Sequence, residues 1–246
     1  MSEFRDYHTL RMTFSDVLAK LKIYGPKKFV GFAFSELWNR VYMQTIRKSY
    51  SQNGEDLVID QLLSYKTIGF YVDVGAYDPY RFSNTKRFYD RGWNGINIEP
   101  SPENYEEFLK VRPRDINLNI GIGETKSRMI FYKMFPDTLS TFSKENMNTY
   151  VKEGYKLVEK LEIQIDTLAG VLKEHAEDKI VDFLTVDTEG LDLTVLKSND
   201  WKNSHPEVIC VENSHADMRE LESFLNSVGY QKFFDNKMNC IFKFME

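Results

Sequence analysis

The sequence predicts an α/β protein: a doubly wound sheet finished by a C-terminal antiparallel hairpin. Three observations point there. Between residues 50 and 228, short aromatic and β-branched runs with the composition of buried strands alternate with segments of helical periodicity. The run Phe70-Tyr71-Val72-Asp73-Val74 leads directly into Gly75-Ala76, a pair small and permissive enough for a tight, ligand-facing turn at a strand's carboxyl end. The last two runs, 230–234 and 240–244, flank Asp235-Asn236-Lys237, which suits an antiparallel turn.

Residues 1–48 read as a helical N-terminal segment and residues 49–246 as the main domain. In the first segment Ser15 caps a helix through Val17, Leu18 and Leu21, and Gly25-Pro26 stops it. A second helical face follows from Phe29, Val30, Phe32, Leu37, Trp38 and Val41, with Lys27, Lys28, Arg40, Arg47 and Lys48 at its ends. A basic, aromatic, amphipathic segment of this kind either caps a core or lies on an anionic membrane or lipid-linked substrate. Charge marks the same boundary: residues 1–48 hold 9 Lys/Arg against 4 Asp/Glu, and the remainder holds 23 against 33. An acidic body lacks the clustered positive charge that phosphate backbones demand, so no nucleic-acid partner is expected. Cys210 and Cys240 are too few for a disulfide framework and read as buried free thiols of a cytoplasmic protein. No charged-then-apolar leader opens the chain and no apolar run is long enough to span a bilayer, so neither export nor membrane spanning is expected.

In the main domain, Ser51 or Asn53 is the expected cap of a helix carrying Glu55 and Asp56 in its first turn and Leu57, Leu62 and Leu63 on its core face. The strand over 70–74 and its turn come next. A nicotinamide fingerprint would need G-x-G-x-x-G there, whereas one glycine precedes Tyr77-Asp78-Pro79. With Asp73 two residues before Gly75, the loop places a carboxylate where an ammonium group would be welcome, which suits S-adenosylmethionine better than a pyrophosphate. Phe82-Ser83-Asn84-Thr85 leads into a short helix over 86–91 ended by Gly92. A second strand over 95–98 closes in Glu99-Pro100, and Glu99 stands 24 residues after Gly75, the spacing at which nucleoside-binding sheets place a ribose-binding acid.

Ser101, Pro102 and Glu103 begin a helix over 101–109; residues 117–122 and 130–134 read as a third and a fourth strand. The polar, turn-rich stretch 136–148 reads as the longest active-site loop, with the hydroxyls of Ser140 and Thr141 more suited to backbone than to substrate. A strand over 161–165 and a helix over 167–173 follow, and His175 reads as a surface histidine. The run 183–186 is a buried strand ending in Asp187, Glu189 and Gly190; 208–211 is another, ending in Glu212, Asn213, Ser214 and His215. Asp187, Glu212 and Asn213 are hard oxygen donors suited to Mg²⁺. Without a metal, a clustered acid or His215 would serve as general base. An amphipathic helix over 216–228, ended by Gly229, precedes the hairpin.

Taken together, Tyr50-Ser51-Gln52-Asn53-Gly54-Glu55-Asp56, FYVDVGAYDP, Phe82-Ser83-Asn84-Thr85, Gly92 to Pro100 (GWNGINIEP) and Val186-Asp187-Thr188-Glu189-Gly190 resemble the FkbM family of S-adenosylmethionine-dependent methyltransferases. The resemblance runs in order from about residue 50 to 244 and leaves residues 1–48 outside it. It implies a class I methyltransferase sheet, Rossmann-like, and O-methylation of a hydroxyl, commonly on a glycan sugar or a polyketide-type natural product. It also implies that Gln52, Asp73, Gly75, Ala76, Ser83, Asn84 and Glu99 surround the cofactor, with Asp187 near the transferred methyl.

The expected function is therefore S-adenosylmethionine-dependent O-methylation, with a glycan sugar as the preferred acceptor. Asp187 and Glu212 would hold a divalent ion or orient the acceptor, and His215 or Glu189 would remove its proton. The alternatives are a natural-product O-methyltransferase, a nicotinamide-dependent reductase and a non-catalytic glycan-binding or scaffold module on the same fold. Oligomeric state is left open by the sequence.

Overall fold

The computed structural model describes residues 48–213 and 218–245. The expectations for residues 1–47, and that for His215, lie outside the described residues. Among the described residues, ten strands form two sheets. The main sheet holds β1 (Phe70–Val74), β2 (Asn94–Ile98), β3 (Ile116–Leu118), β7 (Phe183–Val186), β8 (Val208–Glu212), β9 (Tyr230–Asp235) and β10 (Asn239–Phe244) in the order β3-β2-β1-β7-β8-β10-β9. Strands β3, β2, β1, β7 and β8 run parallel; β10 is antiparallel to both β8 and β9, so the expected hairpin closes one edge.

The two faces of β1 show why the sheet is covered on both sides. Phe70, Val72 and Val74 join one core cluster, with Ile96, Ile98, Leu184, Ile209 and Val211 from neighbouring strands. Tyr71 joins the other, with Phe183, Cys210 and Ile241. The alternation is that of a strand whose successive side chains point to opposite faces. Helices α5 (Leu168–His175), α6 (Asp192–Lys197) and α7 (Met218–Ser227) supply Leu168, Val171, Leu196, Leu221 and Leu225 to the first cluster. Helices α1 (Glu55–Leu62) and α2 (Lys86–Asp90) supply Ile59 and Phe88 to the second, where Leu63 and Trp93 also pack. Each fully buried aliphatic or aromatic side chain contributes roughly 1.5–3 kcal/mol. Cys210 and Cys240 are buried free thiols, as expected.

The second sheet, β4 (Gly121–Ile122), β6 (Lys156–Asp166) and β5 (Ser127–Phe135), corrects the sequence reading. Residues 117–122 are two strands in different sheets, because the Asn119 amide donates to the carbonyls of Glu99 (2.8 Å) and Pro100 (3.0 Å) and ties the chain down between them. The strand expected over 130–134 is the middle of β5, antiparallel to β6 and outside the main sheet. The expected loop 136–148 contains the start of α4 (Lys144–Lys152), capped by Ser143, whose Oγ accepts from the Asn146 N–H at 3.1 Å. Met147 and Tyr150 of α4 bury against Tyr132 and Met134 of β5. The remaining helix, α3 (Pro102–Val111), begins with its proline as expected and runs two residues further. At α1 the cap position is Gly54, at φ +90°, and Ser51 Oγ accepts from the N–H groups of Gly54 (3.0 Å) and Asp56 (3.3 Å) instead of capping from outside. His175 is half-exposed at the end of α5. Among the described residues, no helix is long and apolar enough to cross a membrane.

Candidate active site

Because β2, β1, β7 and β8 are parallel neighbours, their carboxyl ends share one edge of the sheet, where open α/β sheets bind ligands. Glu99, Gly75, Asp187 and Glu212 all fall there. The turn after β1 is pinned to β2: the N–H groups of Gly75 and Ala76 both donate to Ile98 O, at 3.0 and 3.1 Å. Gly75 has φ +79°, and a Cβ on it would lie 1.8 Å from the backbone oxygen of Asp187. The first turn and the acidic turn therefore touch through backbone, which only glycine permits.

Glu99 is buried, and its two carboxylate oxygens accept the N–H groups of Tyr77 and Ser101, each at 2.8 Å. Burial pushes this carboxyl up to about 8 against the opposing pull of those N–H groups and of Asn104. Asp73 is likewise buried; burial raises it to about 6, while the Thr85 hydroxyl (2.7 Å) and the Arg112 guanidinium favour its charge. Asn84 reaches across the strand ends, its amide donating to Thr185 Oγ1 at 2.9 Å. Ser83 is committed to its own loop: its Oγ accepts from the N–H of Lys86 (3.1 Å) and from Arg112 (2.8 Å). Gln52 lies half-buried in the segment before α1, beside the Ser49, Ser51 and Asp56 network.

The acidic half of the site is three carboxylates. Oxygens of Asp187, Glu189 and Glu212 all lie within 4.8 Å of one another, close enough to hold a divalent cation. Glu189 joins the two acids named from the sequence, and the Asn213 side-chain amide donates to Asp235 at 3.4 Å. Asp187 is exposed as a residue; desolvation at its carboxyl, then the charges of Glu212, Glu189, Asp192 and Asp73, hold that group well above the ordinary carboxylate range. A carboxylate with raised proton affinity is what general-base work requires.

A family model described as the methyltransferase FkbM domain matches residues 73–232, more than half of the chain. The chain belongs to the FkbM methyltransferase family. The FkbM methyltransferase from Methylobacillus flagellatus KT superimposes with a TM-score of 0.52 at 13% identity, covering 94% of this chain and 60% of that one. The chain thus spans three fifths of the length of that relative, and their likeness shows the fold: the doubly wound, Rossmann-like sheet of class I methyltransferases. A TehB-like S-adenosylmethionine-dependent methyltransferase from Corynebacterium glutamicum matches at TM-score 0.43 and 10% identity, covering 87% of this chain and 99% of that one. An O-methyltransferase from Bacillus cereus in complex with S-adenosylhomocysteine matches at 0.39 and 11%, covering 79% and 82%. Among curated proteins no match was found.

In this FkbM domain several residues outside the sequence motifs shape the site. Thr141 Oγ1 and Asn146 Nδ2 both donate to the backbone oxygen of Glu189, at 3.0 and 2.8 Å, and the Tyr150 hydroxyl reaches Glu189 Oε2 at 3.3 Å. Glu189 needs this support because it sits at φ +52°, a left-handed conformation costly to a residue with a side chain. Asp192 Oδ1 accepts the N–H (3.0 Å) and hydroxyl (3.2 Å) of Thr188, fixing the turn between Asp187 and Glu189. The one sequence signal for the α4 residues was the spacing Ser143-x-x-Asn146 ahead of Met147 and Tyr150, a helix start.

Proposed function

We propose that this FkbM-family chain catalyses S-adenosylmethionine-dependent O-methylation, with a sugar hydroxyl of a glycan as acceptor. The observation that carries the reading is the backbone contact between Gly75 and Asp187, which sets the Asp73/Glu99 half of the site directly against the acidic cluster. The residues present fit the cofactor. The Glu99 carboxylate accepts the N–H groups of Tyr77 and Ser101 and the Asn104 side chain, which leaves acceptor capacity for a ribose hydroxyl, and the glycine turn lets the chain approach a ligand closely. Asp73 supplies negative charge for an ammonium group.

When bound, S-adenosylmethionine supplies an activated methyl on a sulfonium. The protein's own work is then positioning and proton management. Asp187, kept basic by desolvation and then by Glu212 and Glu189, accepts the proton of the acceptor hydroxyl as its oxygen becomes nucleophilic. Glu189, held by Thr141, Asn146 and Tyr150, faces the same cluster and orients the acceptor by hydrogen bonding. A sugar suits this cluster, since its carboxylates accept hydrogen bonds from the hydroxyls of a polyhydroxylated ring. The same carboxylates suit Mg²⁺, which would take over the orienting role. The buried thiols of Cys210 and Cys240 fit a reducing, cytoplasmic setting.

The test is calorimetric titration of S-adenosylhomocysteine into the protein, followed by transfer of labelled methyl to a panel of glycans and small hydroxylated acceptors. Micromolar binding with label on a sugar hydroxyl is the expected result. Transfer only to a non-sugar hydroxyl would replace the acceptor class, and absence of cofactor binding would remove the reading.

A further inference from the structure

Arg112 is fully buried at the C-terminal end of α3, and nothing in the reaction above uses it. Arginine almost never buries completely without partners, so its contacts show what it is for. Nη2 donates to Pro79 O at 2.6 Å and to Ser83 Oγ at 2.8 Å, Nε donates to Pro79 O at 3.2 Å, and Nη1 donates to Thr85 Oγ1 at 2.6 Å. The guanidinium also lies over the rings of Phe108 and Tyr89, at 5.3 and 5.6 Å. Every partner on the hydrogen-bonding side belongs to the segment 79–85 that follows the Gly75 turn.

Thr85 passes the effect on. It is fully buried and its hydroxyl donates to Asp73 Oδ2 at 2.7 Å. A hydroxyl has one proton, and a guanidinium can only donate, so Arg112 occupies the acceptor side of Thr85 and leaves its proton directed at the carboxylate. One oxygen of Asp73 is thereby fixed, and Oδ1 accepts no hydrogen bond from any described residue. The same segment carries Asn84, held over β7 by Thr185 at 2.9 Å.

We propose that Arg112 and Thr85 are a positioning relay for the methyl donor: the buried guanidinium orients the Thr85 hydroxyl, which locks the Asp73 carboxylate with Oδ1 presented to the donor's ammonium group. The inference rests on the cofactor reading above and adds to it two residues that touch no ligand. The positive charge of Arg112 also opposes the neutralisation that burial imposes on Asp73.

The experiment is calorimetric binding of S-adenosylhomocysteine to wild type, Thr85→Val, Thr85→Ser, Asp73→Asn and the Thr85→Val/Asp73→Asn double variant, each checked for folding by circular dichroism. Loss of a hydrogen bond to a charged group predicts that Thr85→Val weakens binding by roughly ten- to a hundred-fold. Serine, which keeps the hydroxyl, should restore binding to within about threefold. Since Thr85 acts through Asp73, the double variant should bind no more weakly than Asp73→Asn alone, a coupling that a general loss of packing would not produce. If valine does not fold, Arg112→Lys, which keeps the charge and loses the fork, takes its place and predicts the same weakening and the same coupling. Binding by Thr85→Val within twofold of wild type, or effects that multiply in the double variant, overturns the relay while leaving the cofactor reading intact. No binding by wild type overturns both.

Discussion

Gly75 and Asp187 meet through backbone alone: a Cβ on the glycine would stand 1.8 Å from the aspartate's carbonyl oxygen. That oxygen belongs to main chain held by β7, so it cannot swing aside as a long side chain would. Gly75→Ala therefore combines a collision with left-handed strain at φ +79°, and the expected cost is about 2–4 kcal/mol. Urea unfolding should show the loss, and S-adenosylhomocysteine binding should fall below detection even where the variant is folded. A wild-type unfolding midpoint would mean that the two turns are free to part.

Glu99 predicts a proton released on ligand binding. In the folded, ligand-free chain its carboxyl lies near 8, so at neutral pH it is mostly protonated. Hydrogen bonds from ribose hydroxyls favour the charged form and would lower that value in the complex. Calorimetry at pH 7 in buffers of different ionisation heat should show release of up to about one proton, and affinity should rise with pH until about 8. Folding raises the same group from its ordinary 4.5, so the folded chain retains between 4.5 and 8 a proton that the unfolded chain has lost. Its contribution to ligand-free stability is accordingly full below 4.5 and declines as pH rises through that window. Buffer-independent binding heats would count against Glu99 as the ribose acid.

How far the sequence foretold this site depends on how each residue announces itself. Phe70 to Val74 is buried along its whole length, and such runs are legible because apolar composition is what burial demands. Asp187 and Glu212 could be paired from sequence because each ends a short apolar run, and β7 and β8 turned out to be parallel neighbours. The small sheet was legible only in part: residues 130–134 and 161–165 read as strands, but β4 is two residues long and β6 exposes most of its length, so neither the strands' full extents nor their separate sheet showed. Nor did α4, whose polar sequence owes its helix to the Ser143 cap and to Met147 and Tyr150 packing on β5. Arg112 follows an amphipathic helix, where an arginine ordinarily points to water. Only tertiary structure shows that the 79–85 segment closes over it.

The α4 residues predict a separation of binding from turnover. Thr141 and Asn146 both hold the Glu189 carbonyl, while neither touches Asp73 or Glu99. Asn146→Ala and Thr141→Val each remove one neutral hydrogen bond, worth about 1 kcal/mol, from a residue already in a left-handed conformation, and the valine also removes the acceptor of the Ser143 N–H. Each should lower kcat about five- to ten-fold and leave S-adenosylhomocysteine affinity within about twofold. An equal loss in affinity would show that the small sheet and α4 support the whole edge and not Glu189 in particular.

Asp187 carries the sharpest pH prediction. Desolvation and the neighbouring charges of Glu212 and Glu189 hold it protonated well above the ordinary carboxylate range, and only its ionised form accepts a proton. With S-adenosylmethionine saturating, so that Glu99 is already in its ligand-bound form, the log of kcat/KM for the acceptor should thus rise with pH along a single limb displaced upward from that range, and Asp187→Asn should remove the limb while lowering kcat by roughly a hundred-fold or more. Affinity for S-adenosylhomocysteine should change little, because asparagine keeps the shape and the Gly75 contact is to backbone. The same cluster could instead work through a cation, and chelation separates the two. With Asp187 as base, exhaustive treatment with EDTA leaves turnover within about twofold. A larger loss, restored by Mg²⁺ and insensitive to pH in the limb, would assign Asp187, Glu189 and Glu212 to a metal, since a bound cation cancels the repulsion that raises Asp187 and lets all three carboxylates ionise.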